Sequence, residues 1–532
     1  MFGQFAATSQ FYLHGRKHFT RTGWEAASKL YPQPDPLTTL SLQGKVFMVT
    51  GANQGVGYEV TKYLASRGGH VFMVCRNASR AQAARKAIVE ATQTDDAKLQ
   101  CLICDCGVES DVREMWAEFR REATGGVLDG LVCNAGALFN DRTQTPDGLE
   151  TTFALHLLFG SYLMTKLALP FLRRSDDPRV VLVSSGGMLN TAWPGWVKGT
   201  NQSGDYDGNM AYAYQKRAQV LLAERWTAQY PSIKFVSSHP GWTATAAVDA
   251  AYGENKSYLE PMRTPWEGAE GIAWLAAIPG AEISSGGFYL DRSPQSKHMA
   301  GAFFSEGSFT KNSEAEIDLL VANLESWSSS PDGGSVAFSE LPLLDAAAAT
   351  AAATSKLSPM AESIDRDRYM GRWFVAACIP TFAEKGHDNA IEDYEWDKAN
   401  DRVNVRYSYT KSGSPGEILQ RATIVNAPTN TEWSVNPKLA GFFVPLGLGS
   451  YVWHCDIDSY EYSIVALPDK SNIWILCRAL PMPYELYIDA LRRAEGAGFD
   501  LSHLVKVAHD GMASSVAAPP PLSASEPEPE PQ

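Results

Sequence analysis

A chain of 532 residues exceeds one ordinary domain of roughly 100–200 residues, so two to four domains are expected. A net charge of −14 and a pI near 5.3 disfavour nucleic acid or an anionic membrane as the main partner, because both reward basic surfaces. Eight cysteines are too sparse for a disulfide scaffold, and no uninterrupted apolar run reaches the roughly 18 residues of a membrane span, so a soluble protein of a reducing compartment is expected.

The first 24 residues contain Arg16, Lys17 and Arg21 with no acid before Glu25, a composition that reads as an organelle transit peptide, while no apolar core marks a secretory signal. Phe2, Phe5, Phe11 and Tyr12 among those cations also suit a membrane surface. The expected location is cytoplasmic, with organelle import or peripheral membrane contact as the alternatives.

From Lys45 to about Trp327, short apolar runs alternate with longer helical patterns, the rhythm of a doubly wound parallel sheet of Rossmann type covered by helices. The expected central strands are 46–49, 71–74, 102–103, 131–132, 180–183 and 235–236, buried on both faces and therefore continuously apolar. The first runs into Thr50-Gly51-Ala52-Asn53-Gln54-Gly55-Val56-Gly57, after which a helix begins. Glycines let the backbone turn tightly and approach a pyrophosphate, and a helix N-terminus offers N–H donors and a favourable dipole.

At the end of the second strand, where an acid would bind a ribose diol, stand Cys75 and Arg76. A cation there suits a 2′-phosphate, so NADP is expected over NAD, the alternative being a solvated strand-end arginine. Asp105, ending the third strand, is placed to touch adenine or simply to form a turn. Cys101, Cys104 and Cys106 imitate a metal knuckle but lack a second cysteine pair, so they read as core and no metal site is expected.

Further along come Asn134-Ala135-Gly136, Ser184-Ser185, Tyr212-Ala213-Tyr214-Gln215-Lys216, Pro240-Gly241 and Thr245. A tyrosine and a lysine four apart share one helix face, so an ammonium beside the phenol favours its ionised form and brings a group of pKa about 10 towards neutral use. Tyr214 has no lysine at that spacing and reads as packing.

These motifs resemble the short-chain dehydrogenase/reductase superfamily. Val183 to Met188, Ala223 to Trp226, His239 to Trp242, Asp291-Arg292 and the leader from Gly15 to Lys29 resemble its retinol-dehydrogenase-like branch called dehydrogenase/reductase member 12, over about residues 5–325. The resemblance implies Tyr212 as general acid/base, Ser185 as the hydrogen-bond partner of the substrate oxygen, and Lys216 as the group that binds the nicotinamide ribose and lowers the Tyr212 pKa. It implies that Gly51, Asn53, Gly55, Val56 and Gly57, then Asn134, Ala135 and Gly136, and then Pro240, Gly241 and Thr245 line the NADP cleft.

One segment departs from the family. An asparagine whose backbone holds a water for the lysine is usual on the helix after the Asn-Ala-Gly strand. Here 153–162 runs one residue longer, leaving His156 or Leu157 at that place. A buried, satisfied histidine is the expected reading of His156.

Residues 328–363 read as a linker, with Ser328 to Gly334 and the alanine-rich 345–353. Period-two alternation then appears in Val403 to Tyr409 and Tyr462 to Leu467, so 41–327 is followed by an all-β domain at 364–511. Residues 1–40 are the leader and 512–532, rich in Pro and Glu, a disordered tail. Arg368 to Phe374, Asp458 to Tyr462 and Trp474 to Arg478 resemble the lipocalin family, bacterial and apolipoprotein-D-like branch. That implies an eight-stranded barrel binding a hydrophobic ligand, with Trp373 and Arg478 structural; a barrel filled by its own side chains is the alternative. Cys455 and Cys477 are expected as free thiols.

The combined expectation is an NADP-dependent oxidoreductase of a lipophilic alcohol or carbonyl compound joined to a lipid-binding barrel. The rival is a nucleotide-binding scaffold that has lost its proton relay.

Overall fold

The switch from runs of continuous apolar residues to period-two alternation builds two separate cores. The computed structural model describes residues 2–519 except 124, 247, 250–252, 302–303, 329–350, 440–441, 445–446 and 513. The chain divides between Lys311 and Asn312.

In the first unit β1 (Val46–Thr50), β2 (His70–Cys75), β3 (Leu99–Ile103), β4 (Gly130–Cys133), β5 (Arg179–Val183), β6 (Lys234–Ser238), β7 (Phe288–Leu290) and β8 (Ser293–Gln295) form one sheet in the order 3-2-1-4-5-6-7-8. All pairings are parallel except β7 with β8. Both faces are covered. Val49, Met73, Val132 and Val181 pack under the helices Gly55–Ser66, Ala78–Thr92 and Pro265–Ala277. Phe72, on the opposite face, meets Phe119 of the helix Glu109–Glu122 at 4.7 Å, and Phe119 meets Phe171 at 5.0 Å. The order reverses between β1 and β4, and that switch point is where such sheets open a crevice.

The helical run Thr151–Leu172 is apolar enough to span a bilayer by composition, yet 83% of its most apolar stretch is buried inside the unit, as a core helix would be. Its middle, Ala154–Leu163, is a π-helix. The extra residue seen in the sequence is thus absorbed by widening the helix, with no looping out.

In the second unit β9 (Gly371–Ile379), β10 (His387–Asp397), β11 (Arg402–Lys411), β12 (Ser414–Ile424), β13 (Glu432–Leu439), β15 (Leu448–Cys455), β16 (Tyr462–Ala466) and β17 (Ile473–Cys477) pair antiparallel in sequence, and β9 pairs with both β10 and β17. That closes an eight-stranded barrel. Two short strands, β14 (Phe442–Phe443) and β18 (Val505–Lys506), add to it. Trp474 and Leu476 face the barrel core, while Ile473, Ile475 and Cys477 face outwards beneath the helix Tyr484–Gly496. The Arg478 guanidinium lies 3.7 Å from the Trp373 ring and donates to the carbonyls of Arg372 and Met370 at 2.7 and 3.0 Å. Cys455 and Cys477 are unbridged and buried.

The unit boundaries differ from the sequence expectation in three places. The helix Glu314–Ser328, read with the first domain, lies in the second unit: Ala315, Leu319 and Ala322 pack with Tyr487 and Leu491, and Lys506 Nζ meets Asp318 at 2.7 Å. An amphipathic pattern announces a helix without naming the core that receives it. Of the linker, 329–350 lies outside the described residues, but Leu357 is buried and Met360 N donates to Val452 O at 3.2 Å. Of the tail, residues from 520 lie outside the description, whereas Ser515 and Val516 are buried and the Ser515 hydroxyl donates to Ala376 O at 2.7 Å.

Candidate active site

Thr50, the last residue of β1, sets the crevice. Its hydroxyl accepts from Asn134 N and Ala135 N at 2.9 and 2.8 Å, and its carbonyl accepts from Asn134 Nδ2 at 2.9 Å, so the end of β4 is tied to the start of the glycine loop. Gly55 holds φ +57°, and a side chain on Gly57 would strike Asn134 Nδ2 and Gly51 O, so the loop closes down only because these positions lack Cβ. The helix Gly55–Ser66 starts there and aims its free N–H groups along the loop.

These elements open onto a cavity of about 1110 Å³. Gly51, Asn53, Gly55 and Val56 line it on the loop side, and Asn134, Ala135 and Gly136 on the β4 side. Ser185, Tyr212 and Lys216 line it too, as do Pro240, Gly241 and Thr245. Gly57 lies buried beneath the loop, and neither Arg76 nor Asp105 lines the cavity. Those two sit at the ends of β2 and β3 as a loose pair, Arg76 Nη1 to Asp105 Oδ2 3.7 Å, with the arginine side chain 77% exposed and the aspartate partly buried. Cys75 before it is a neutral thiol, pushed up to about 12 by burial.

The helix Gly208–Gln229 is capped by Asp207, whose carboxylate accepts from Asn209 N and Met210 N at 2.9 and 3.1 Å. It presents Tyr212 and Lys216 on one face, the amine 5.3 Å from the phenol ring centroid. Lys216 Nζ donates to Val183 O at 2.7 Å, and Ser184 Oγ donates to Lys216 O at 2.8 Å, which ties the helix to the end of β5. Ser185, the next residue, caps the short turn Gly186–Asn190 by accepting from Gly187 N at 3.3 Å. Complete burial draws the Lys216 pKa down to about 7. The Tyr212–Lys216 spacing alone predicts a standing ammonium, which this burial corrects. Tyr214 is buried, as a packing residue should be.

His156, and not Leu157, is the residue of the widened helix that reaches the cavity. Its ring stands edge-on to Tyr212 with centroids 5.2 Å apart. Nε2 lies 2.7 Å from Ala137 O and, less closely, 3.3 Å from Ala137 N. A carbonyl can only accept, so the shorter contact places the proton on Nε2. Burial first, then the Lys216 charge, drives the imidazole pKa well below 6.5, which leaves it neutral with Nδ1 bare. Nδ1 is buried and has no partner, so the satisfied histidine expected from sequence is satisfied on one nitrogen only. Its backbone carbonyl, at one of the two positions where the family resemblance implies a water-holding carbonyl, accepts from Ser161 Oγ at 2.6 Å and Gln219 Nε2 at 3.0 Å. Both lone pairs of that oxygen are therefore taken.

Phe11 and Tyr12 of the leader also line the cavity, which sequence reasoning missed. Their only signal was an aromatic pair in a basic segment, and that suggested a surface; the side chains of Phe2 and Phe5 lie outside the described ones.

The chain matches the short chain dehydrogenase family over residues 45–252 and the lipocalin-like domain family over residues 364–509. It is 37% identical over 324 residues to dehydrogenase/reductase SDR family member 12 of Bos taurus, covering 60% of this chain and 96% of that one. The Homo sapiens protein of that name is 36% identical over 322 residues, 59% and 95% of the two chains. Retinol dehydrogenase 11 of Homo sapiens is 29% identical over 266 residues, 48% and 79%. Among solved structures, a glucose/ribitol dehydrogenase of Brucella melitensis aligns at 19% identity and a TM-score of 0.39, covering 47% of this chain and 95% of that one.

Proposed function

The chain belongs to the short-chain dehydrogenase/reductase family and continues into a lipocalin-like barrel, and on that premise we propose that it interconverts a lipophilic alcohol and the corresponding carbonyl compound with NADP(H). The observation that carries the reading is the convergence of Ser185, Tyr212 and Lys216 with the Gly51–Gly57 loop on one cavity, from three separate segments of the chain.

The chain's residues fit a dinucleotide. The loop is shaped by glycines that a Cβ would block, and a helix N-terminus follows it. Beyond the cavity, the strand end that meets a 2′-substituent offers a neutral thiol and a guanidinium with no acid in the next position. The Arg76–Asp105 pair, 3.7 Å apart with the arginine exposed, is weak enough for a phosphate to displace. Such a cofactor, when bound, supplies or accepts the hydride.

The protein handles the proton and the oxygen. Tyr212 gives its phenol proton to the forming alkoxide in reduction and takes it back in oxidation. Ser185 donates to the same oxygen and holds it beside the phenol. Lys216, with a pKa near 7, exchanges its own proton within the working range and as ammonium favours the ionised phenol. The rings of Phe11 and Trp242 give the cavity an apolar side, consistent with a lipophilic substrate, and a relative with a lower identity is named a retinol dehydrogenase. The barrel binds a hydrophobic ligand and stores, delivers or removes the substrate or its product.

One observation favours a second reading, a nucleotide-binding scaffold without turnover: the carbonyl of His156, one of the two residues that stand at the family's water-holding position, is already filled by Ser161 and Gln219. Oxidation of NADPH and of NADH is to be followed across a panel of lipophilic aldehydes and ketones. Turnover with NADPH preferred supports the first reading. No turnover with any carbonyl, despite NADPH binding, supports the second.

A further inference from the structure

We infer that the N-terminal helix Phe2–His18 is a built wall of the substrate cavity, in which Phe11 and Tyr12 select for long or ring-bearing apolar substrates. The inference rests on the proposed oxidoreductase reading and goes beyond it by assigning the substrate wall to a segment outside the part of the chain that matches the short chain dehydrogenase family, residues 45–252.

The leader is welded to the loop that follows β6. Trp242 N donates to Phe19 O at 2.7 Å, and Arg21 N donates to Pro261 O at 2.9 Å. Arg263, 1% exposed, donates from Nε to Phe19 O at 3.0 Å and from Nη2 to His18 O at 2.8 Å, while Asp291 neutralises it at 2.9 Å. Those bonds fix the C-terminal end of the helix with backbone acceptors that would otherwise be open. An arginine buried this completely, with its charge matched, costs more to move than an exposed one, so the helix end is an anchored part of the fold.

From that anchor the helix runs past the site. Phe19 is buried with its ring edge-on to His239 at 4.2 Å, and a Cβ on Gly186 of the turn capped by Ser185 would come within 2.7 Å of the Phe19 ring. One turn earlier, Gly15 has no side chain because the Trp242 ring fills that space, where a Cβ would approach to 2.5 Å. Phe11 packs on Phe19 at 6.0 Å, and Tyr12 lies 6.1 Å from Trp242 and donates its hydroxyl to Tyr258 O at 3.1 Å. Both residues line the cavity shared by Ser185 and Tyr212.

The wall is aromatic and its one donor is already committed to a backbone carbonyl. It therefore offers a substrate dispersion and desolvation and no hydrogen bond, which rewards methylenes and rings and rejects polar groups. Each further buried methylene adds to that gain, so a wall of two rings discriminates by chain length.

The test uses the full-length protein with Phe11→Ala and Tyr12→Ala. Leu13→Ala is the control, since Leu13 lies on the same helix, is 66% exposed and does not line the cavity. Two readouts are taken: KM and kcat with NADPH for hexanal, decanal and dodecanal, and calorimetric binding of 1-dodecanol. Phe11→Ala is expected to raise KM for dodecanal and weaken 1-dodecanol binding roughly tenfold, with a smaller effect for hexanal and with Leu13→Ala silent. Phe11→Leu, which keeps most of the apolar volume, is expected to stay within about threefold of the parent and guards against misfolding of the alanine variant. Binding to the barrel is common to every variant and cancels in the comparison. Equal KM and equal 1-dodecanol binding in all variants overturns the inference while leaving the oxidoreductase reading intact. Absence of turnover in every variant overturns that reading, and the 1-dodecanol comparison still decides the wall.

Discussion

Folding encloses the amine of Lys216, and so must either strip a proton from it or bury a charge. Its folded pKa, about 7, lies below the ordinary 10.5, so between those values the unfolded chain holds the extra proton. Stability therefore rises as pH climbs from about 7 towards 10.5 and is least below 7, and neutral His156 adds the same sign below 6.5. Lys216→Met is expected to stabilise the first unit by roughly 2–5 kcal/mol at pH 6.5, with the gain shrinking to near zero by about pH 10.5. Urea unfolding of both proteins across that range checks it, and a gain independent of pH contradicts it. The Tyr212–Lys216 spacing was legible in the sequence because a helix turn fixes it. The direction of the lysine shift was not, because its burial is set by tertiary packing, with the amine held against Val183 O on a strand distant in sequence.

The widened helix Ala154–Leu163 shows the same limit among the elements. Counting residues reveals one too many, but only the partners of the His156 carbonyl decide where the surplus goes. Ser161 and Gln219 hydrogen-bond to each other at 2.8 Å and both donate to that oxygen, so they stitch the π-turn. Ser161→Ala leaves a buried acceptor underpaired and is expected to cost about 1–3 kcal/mol in the melting of the first unit; an unchanged melting temperature would mean the π-turn stands without the stitch. In the barrel, β17 turns Trp474 and Leu476 to one face and Ile473, Ile475 and Cys477 to the other, since a strand allows only two. Strand β7 went unread because Phe288–Leu290 is too short to show a period. Arg478→Ala is expected to destabilise the second unit by about 2–3 kcal/mol, because it empties the face of Trp373 and frees the carbonyls of Arg372 and Met370. Arg478→Lys should recover little, since an ammonium cannot fork between them. Denaturant melting of the two variants decides this, and full stability of the lysine variant would contradict the forked role.

At the scale of the whole molecule, one chain carries an oxidoreductase fold and a lipocalin-like barrel; periodicity made the α/β and all-β classes legible, and the barrel followed only from the family resemblance. The position of the join was less so, because the helix Glu314–Ser328 belongs by pattern to any apolar surface and by packing to the second unit. If the barrel delivers substrate, covalent linkage raises its local concentration at the enzyme. Turnover of a poorly soluble aldehyde is then expected to be several-fold slower in a mixture of the separated halves than in the intact chain, and identical rates contradict the coupling. Underneath all of this stands the assignment of proton transfer to one phenol. The most direct test compares Tyr212→Phe with the parent by NADPH titration and by single-turnover reduction of a lipophilic aldehyde. Retained NADPH affinity with a rate lowered about 100- to 10,000-fold is the expected result; a rate within a few-fold of the parent, with NADPH bound equally, would contradict it.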